Sequence, residues 1–295
     1  MRNTDTMNER NGRVKALVAC GFGINCEDET AAAYRMAGAE AQIVHLNQLF
    51  SRDVSLHKFD ILHLPGGFSF GDDLGSGKVL ANKLRYKRMP DGTPFWDELL
   101  RFIHNGNYIF GICNGFQALV KTGLLPNISG GFEQEVTLAT NLSGIFEDRW
   151  CRIVRNPGST SPFLGDLSTI ELPVRHGEGR MIARDAGIRD AIRHLRLDCL
   201  RYCDEAGKPT NRYPLNPNGS DLDCAGLTDT TGRILGIMPH PEAFLSFCNH
   251  PDWPRLAREN RHSHSKDDGH GLQIFRTIVA HIHTSKCKER SEKMS

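Results

Sequence analysis

The chain has 295 residues, 39% hydrophobic and 24% charged, and its 36 basic and 35 acidic side chains leave a formal charge of +1. That balance offers no basic excess for nucleic acid or an anionic membrane surface, and no apolar run of about 18 residues is present to cross a bilayer. The length suits one large α/β domain, or two modest ones, with a substantial core.

Residues 1–13 are polar, lack the apolar stretch of a secretory signal and read as a short disordered leader, with Met7 as an alternative start. Residues 14–19 read as a first strand, followed by the loop Gly21-Phe22-Gly23-Ile24-Asn25. Residues 27–37 have helical character, with Gly38 as a stop. A second strand is expected over 41–46, and a third over 59–64 that runs into Pro65-Gly66-Gly67. Residues 85–93 read as a surface loop, 96–104 as a helix and 108–110 as a buried strand. Strands alternating with helices argue for parallel βαβ units in an α/β fold: a doubly wound, mainly parallel sheet flanked by helices. Sites in such sheets lie at the carboxyl ends of the strands, where the loops at Gly21, Gly66 and Cys113 fall.

The second half is less regular. Residues 136–145, 150–154 and 169–173 suit strands of a meander, and 204–222, rich in Pro, Gly and Asn, an irregular loop. Residues 233–238 read as a buried strand that delivers Pro239-His240-Pro241-Glu242. A polar insertion over 250–270 follows, then a last amphipathic helix over 271–283 and a charged tail over 284–295. No repeat or linker divides 14–283, which is expected to be one domain.

Nine cysteines are scattered without close pairing. With no secretory signal the expected compartment is the reducing cytosol, where most cysteines are small buried apolar residues. Cys113 is different. In Gly111-Ile112-Cys113-Asn114-Gly115-Phe116-Gln117 it falls between an apolar strand and a helix, the geometry of a nucleophile elbow with sulfur in place of oxygen. The helix N-terminus there favours thiolate, the reactive form.

A cysteine nucleophile needs a base, and the base an orienter. Pro241 biases His240 toward an extended backbone, in which side chains two apart point the same way. Glu242 then reaches one imidazole nitrogen while the other faces the thiol. Gly66-Gly67 can present backbone N–H groups to an oxyanion, and the N–H of Asn114 supplies the second donor. Alone, each feature has a bland explanation: a Pro-Gly-Gly turn is usually only a turn, and one histidine among thirteen is usually structural. Their joint placement at the ends of parallel strands is what points to chemistry.

Gly111 to Gln117, Leu64-Pro65-Gly66-Gly67-Phe68 and Met238-Pro239-His240-Pro241-Glu242 resemble the three signatures of the class I (triad-type, flavodoxin-like) glutamine amidotransferases. Asn114, Gly67-Phe68-Ser69-Phe70-Gly71-Asp72, Arg175-His176-Gly177-Glu178-Gly179-Arg180 and Asn216-Pro217-Asn218-Gly219-Ser220 resemble one branch, the glutaminase subunits of phosphoribosylformylglycinamidine synthase. The resemblance spans about residues 14–283. It implies that Cys113 attacks glutamine, that His240 and Glu242 complete the triad, and that Gly67 and Asn114 form the oxyanion hole. Gly66, Gln117, His176, Gly177 and Glu178 would hold glutamine. It also implies delivery of ammonia to a separate synthetase subunit that uses ATP and magnesium, with a small third subunit in some relatives. This chain itself would carry no cofactor.

There are departures. Ala243 stands where the branch often has arginine, which puts one interface contact in doubt. Cys26, at the end of the first loop, could lie near the site but is read as structural. His250, His262, His264 and His270 in the insertion lack partners at a clean ligand spacing, so no metal is expected and a solvated loop is. Gly75-Ser76-Gly77-Lys78 lacks the P-loop spacing. Two other readings are a free-standing cysteine hydrolase and a non-catalytic subunit. The segment from His176 to Arg180 argues against the first, and an intact Cys113, His240 and Glu242 against the second.

Overall fold

The computed structural model describes residues 12–259 and 268–294. Strands β1 (Lys15–Cys20), β2 (Glu40–His45), β3 (Ile61–Leu64), β4 (Tyr108–Ile112) and β11 (Ile234–Ile237) form the parallel half of a nine-stranded sheet, in the order β2-β1-β3-β4-β11. All four residues of β3 and of β11 are buried, as befits strands covered on both faces. The order continues with β10 (Cys224–Thr228), β9 (Leu200–Tyr202), β6 (Glu147–Arg155) and β7 (Thr169–His176), all antiparallel. A separate antiparallel pair joins β5 (Val136–Thr140) and β8 (Glu178–Ala183).

Helices α1 (Glu27–Met36), α2 (Leu46–Phe50), α3 (Lys78–Tyr86), α4 (Phe95–His104) and α5 (Asn114–Lys121) connect the parallel strands. Helix α6 (Ala186–Leu195) lies in the second half, α7 (Trp253–Arg258) in the insertion, and α8 (Leu272–Met294) ends the described chain. Among the described residues no helix is long and apolar enough to cross a membrane.

Register is what builds the site. Leu64 pairs with Gly111, and Ile112 with Ile237, so β3, β4 and β11 end at one level. The residues that follow, Gly66, Cys113 and His240, are thereby delivered to one edge. Glycines let the elbow helix lie close: a Cβ on Gly115 would stand 1.9 Å from the Leu64 carbonyl oxygen, and one on Gly111 2.6 Å from Leu119 Cδ1.

Several elements depart from the expected pattern. Helix α3 buries Leu80, Ala81 and Leu84, a narrow stripe masked by its lysines, asparagine and arginine. The strand expected over 136–145 stops at Thr140, because the chain turns at Gly144 with φ 73°. Strands β8, β9 and β10 and helix α6 had no clear signal. The last helix does not end at 283 but continues through the charged tail to Met294. Within the insertion, His250 is buried against Trp150 and Phe244 rather than solvated. Residues 1–11 of the expected leader, and His262 and His264, lie outside the described residues.

Candidate active site

Cys113 stands between β4 and α5 with φ 49° and ψ −103°, a conformation rare for a residue with a side chain. Neighbouring groups hold it there. Its N–H donates to Ile237 O (2.8 Å), and its carbonyl accepts from Gln117 N–H (2.9 Å). The thiol is buried and lies 3.6 Å from Arg175 O. This is the elbow expected from the glycine-flanked cysteine.

His240 follows β11, and its backbone N–H donates to Pro173 O of β7 (2.8 Å). Its Nδ1 lies 2.5 Å from Glu242 Oε1, and both side chains are buried. The contact arises differently from expected. Pro241 opens a single 3-10 turn over Pro241–Ala243, so the turn, not a continued strand, folds Glu242 back onto the ring. Burial alone would push the imidazole down. The Glu242 carboxylate, Cys113 and Cys26 together outweigh it and hold the ring well above the ordinary histidine value. A charged imidazole beside a sulfur can donate a proton to a departing amine.

The Gly66-Gly67 turn is braced by the first loop. Asn25 N–H donates to Gly66 O (3.2 Å), and Phe68 N–H to Gly23 O (2.9 Å). Gly67 has φ +134°, and a Cβ there would stand 2.7 Å from Gly23 O, so only glycine fits. Asn114 joins this turn to the elbow. Its Oδ1 accepts from Ser69 N–H (3.2 Å), and its Nδ2 donates to Asp72 Oδ1 and Gln117 Oε1 (3.1 Å each). Asn114 is also the first residue of α5, where backbone N–H groups have no partner within the helix.

The segment expected to hold glutamine forms the facing wall. Gln117 Nε2 donates to Glu178 O (2.5 Å), so both ends of that amide are engaged within the protein. Glu178 Oε2 accepts from Ser76 N–H (3.3 Å). His176 is buried, and burial lowers its pKa to about 3, with the nearby His240 acting the same way. Its ring packs on Gly179, where a Cβ would come within 2.4 Å of it. The second branch segment wraps this one: Met181 N–H donates to Ser220 Oγ (3.0 Å) and Arg180 Nε to Gly219 O (3.3 Å).

One residue here escaped the sequence reading, and another was placed only as a possibility. Asn141 is a buried hub: its Nδ2 donates to His176 O (2.7 Å) and Ile145 O (3.0 Å), its Oδ1 lies 3.0 Å from His176 Nδ1 and accepts from Gly179 N–H (3.2 Å). Nothing in its local sequence signals this, since the partners lie on a different element. Cys26, read as structural but allowed a place near the site, does lie there. It stands in the site, and its sulfur and the His240 ring flank Gly66 together. All nine cysteines are free thiols. Burial pushes Cys151 up to about 12 and Cys203 to about 11, as suits inert packing residues.

A thiol on such an elbow, beside a buried histidine–glutamate couple at the ends of parallel strands, is the arrangement of a triad glutamine amidotransferase. The family model of the CobB/CobQ-like glutamine amidotransferase domain matches residues 13–282, and the chain belongs to that family. Within it the chain belongs with the PurQ subunits of phosphoribosylformylglycinamidine synthase. It is 42% identical to PurQ of Dehalococcoides mccartyi over 268 residues, covering 90% of this chain and 97% of that one. It is 39% identical to PurQ of Methanococcus maripaludis over 274 residues, covering 91% and 97%. Among solved structures it is similar to PurLQS from Thermotoga maritima, with a TM-score of 0.65 and 26% identity over 92% of this chain and 99% of that one.

Proposed function

We propose that this chain is the glutaminase subunit of phosphoribosylformylglycinamidine synthase and delivers ammonia to a PurL-type synthetase in de novo purine synthesis. The observation that carries the reading is the strained, buried Cys113 beside the His240–Glu242 couple. The Cys113 sulfur attacks the glutamine δ-carbon, and the amide oxygen becomes an oxyanion at the N–H groups of Gly67 and Asn114. His240 gives its proton to the amide nitrogen, the C–N bond breaks, and ammonia leaves a glutamyl thioester. His240 then takes a proton from water, which attacks the thioester and releases glutamate and the Cys113 thiol. Glu242 holds the ring in one tautomer throughout. Gly66, Gln117, His176, Gly177 and Glu178 shape the glutamine pocket, with Gln117 acting through Glu178.

The partner subunit supplies ATP and magnesium chemistry, this chain carries no cofactor, and the complex works in the cytosol. A small PurS-type subunit completes the assembly. Exposed apolar side chains on the segments that frame the site suit a docking face. Phe68 and Phe146 stack at 6.4 Å, Phe146 lies over Gly177, Leu142 over Gly219, and Ile145 and Tyr213 are exposed beside them. A glutamine analogue with an electrophilic δ-carbon tests the reading. It is expected to label Cys113 alone among the nine cysteines, by peptide mass spectrometry. Labelling of another cysteine with Cys113 untouched would contradict it.

A further inference from the structure

Cys26 has no part in the reaction above, yet its position is not that of a packing residue. One ligand atom from each of Cys26, His240 and Glu242 lies within 4.8 Å of the others. His240 and Glu242 are both buried, and Glu242 Oε2 makes no hydrogen bond among the described residues. The Cys26 thiol lies 3.3 Å from Asn25 Oδ1 and against the His240 ring. Gly66 leaves the space between them open: a Cβ there would stand 2.7 Å from His240 Cε1 and 3.3 Å from Cys26 Sγ.

The geometry points to a site for a borderline-soft divalent cation of the zinc class, held by Cys26, His240 and Glu242, that shuts the glutaminase down when filled. One sulfur, one imidazole and one carboxylate are the ligand types zinc takes, and three protein ligands leave a fourth position open for water. Bonds of 2.0–2.3 Å put tetrahedral ligand atoms about 3.3–3.8 Å apart, so the Cys26 sulfur has to move in by up to about 1 Å, and His240 Nδ1 and Glu242 Oε1, 2.5 Å apart, have to part by about as much, within the reach of side-chain rotation. A cation there takes the place of the proton that His240 and Glu242 share and removes the base from the reaction. The inhibitory consequence rests on the glutaminase reading; the binding site itself does not.

The test is equilibrium dialysis of the full chain against Zn2+, with Co2+ absorption as a second readout. The wild-type chain is expected to bind one Zn2+ and to show a sulfur-to-cobalt band in the near ultraviolet. Cys26→Ala and Cys26→Ser are expected to weaken binding at least tenfold and to lose the band, whereas Cys113→Ala keeps both. In the reconstituted complex, Zn2+ is expected to suppress glutamine-dependent but not ammonia-dependent synthesis, relative to each variant's own zinc-free rate, and a chelator to restore it. Binding that survives both Cys26 substitutions but disappears in Cys113→Ala places the cation on the nucleophile and overturns the proposal, as does a wild-type chain that binds no Zn2+. Binding is read without any glutaminase assay, so failure of the glutaminase reading would not be mistaken for failure of this one.

Discussion

His240 Nδ1 and Glu242 Oε1 stand 2.5 Å apart, both buried and joined by one 3-10 turn. A turn fixes the carboxylate relative to the ring more tightly than two independent elements would. The couple also answers the cost of burying a charged imidazole, because the paired carboxylate offsets the lost hydration.

Glu242→Gln keeps the shape of that couple and removes its charge. Glutamine-dependent synthesis is expected to fall about 10²- to 10⁴-fold, as when an orienting acid is neutralised in other triads. Ammonia-dependent synthesis by the complex should not change. Steady-state assays with both nitrogen donors check this.

Asn141→Ala leaves the main-chain groups of the His176 segment without partners. Each buried group left unpaired costs about 1–3 kcal/mol. The variant is expected to lose about 3 kcal/mol of stability in urea titrations. It should raise the glutamine KM about tenfold or more, since the pocket wall it braces loosens.

Gly115→Ala drives a methyl group into the Leu64 carbonyl oxygen, which backbone cannot yield cheaply. It is expected to cost about 1–3 kcal/mol and to displace α5, taking the elbow with it. Gly131→Ala is the contrast: its nearest neighbour is Ser129 Oγ at 3.6 Å, and stability should stay within about 0.5 kcal/mol.

Stability should also depend on pH through His63. Its Nδ1 lies 3.0 Å from Tyr34 OH, and Phe110 and Phe275 enclose the ring. Burial lowers its pKa from 6.5 to about 3. The folded pKa lies below the unfolded one, so the unfolded chain binds the proton first. The stabilisation is complete above pH 6.5 and is lost as pH falls toward 3, on the order of 5 kcal/mol in all. His63→Gln is expected to flatten the dependence of the unfolding free energy on pH between 6.5 and 4. An unchanged slope would rule out His63 as its source.

The parts of the site that were legible in the sequence are those specified locally. Cys113 is framed by its own glycines, and His240 and Glu242 are two residues apart. The carboxyl ends of apolar runs mark where a parallel sheet puts its chemistry. What was not legible depends on contacts between distant segments. Asn141 looked like one more strand residue until β7 brought His176 to it across 35 positions. Cys26 looked inert because its neighbour His240 arrives from β11. Helix α3 and the short strands β8 and β9 bury too few apolar residues to show a period, and β10, buried throughout, is five mostly small residues with no alternation. The antiparallel extension of the sheet followed from pairings that no single strand encodes.

The most direct measurement is nitrogen-donor dependence in a complex reconstituted with Cys113→Ala. The account predicts that synthesis from glutamine disappears while synthesis from ammonia continues at the wild-type rate. Glutamine-dependent synthesis that survives the substitution would show that Cys113 is not the nucleophile.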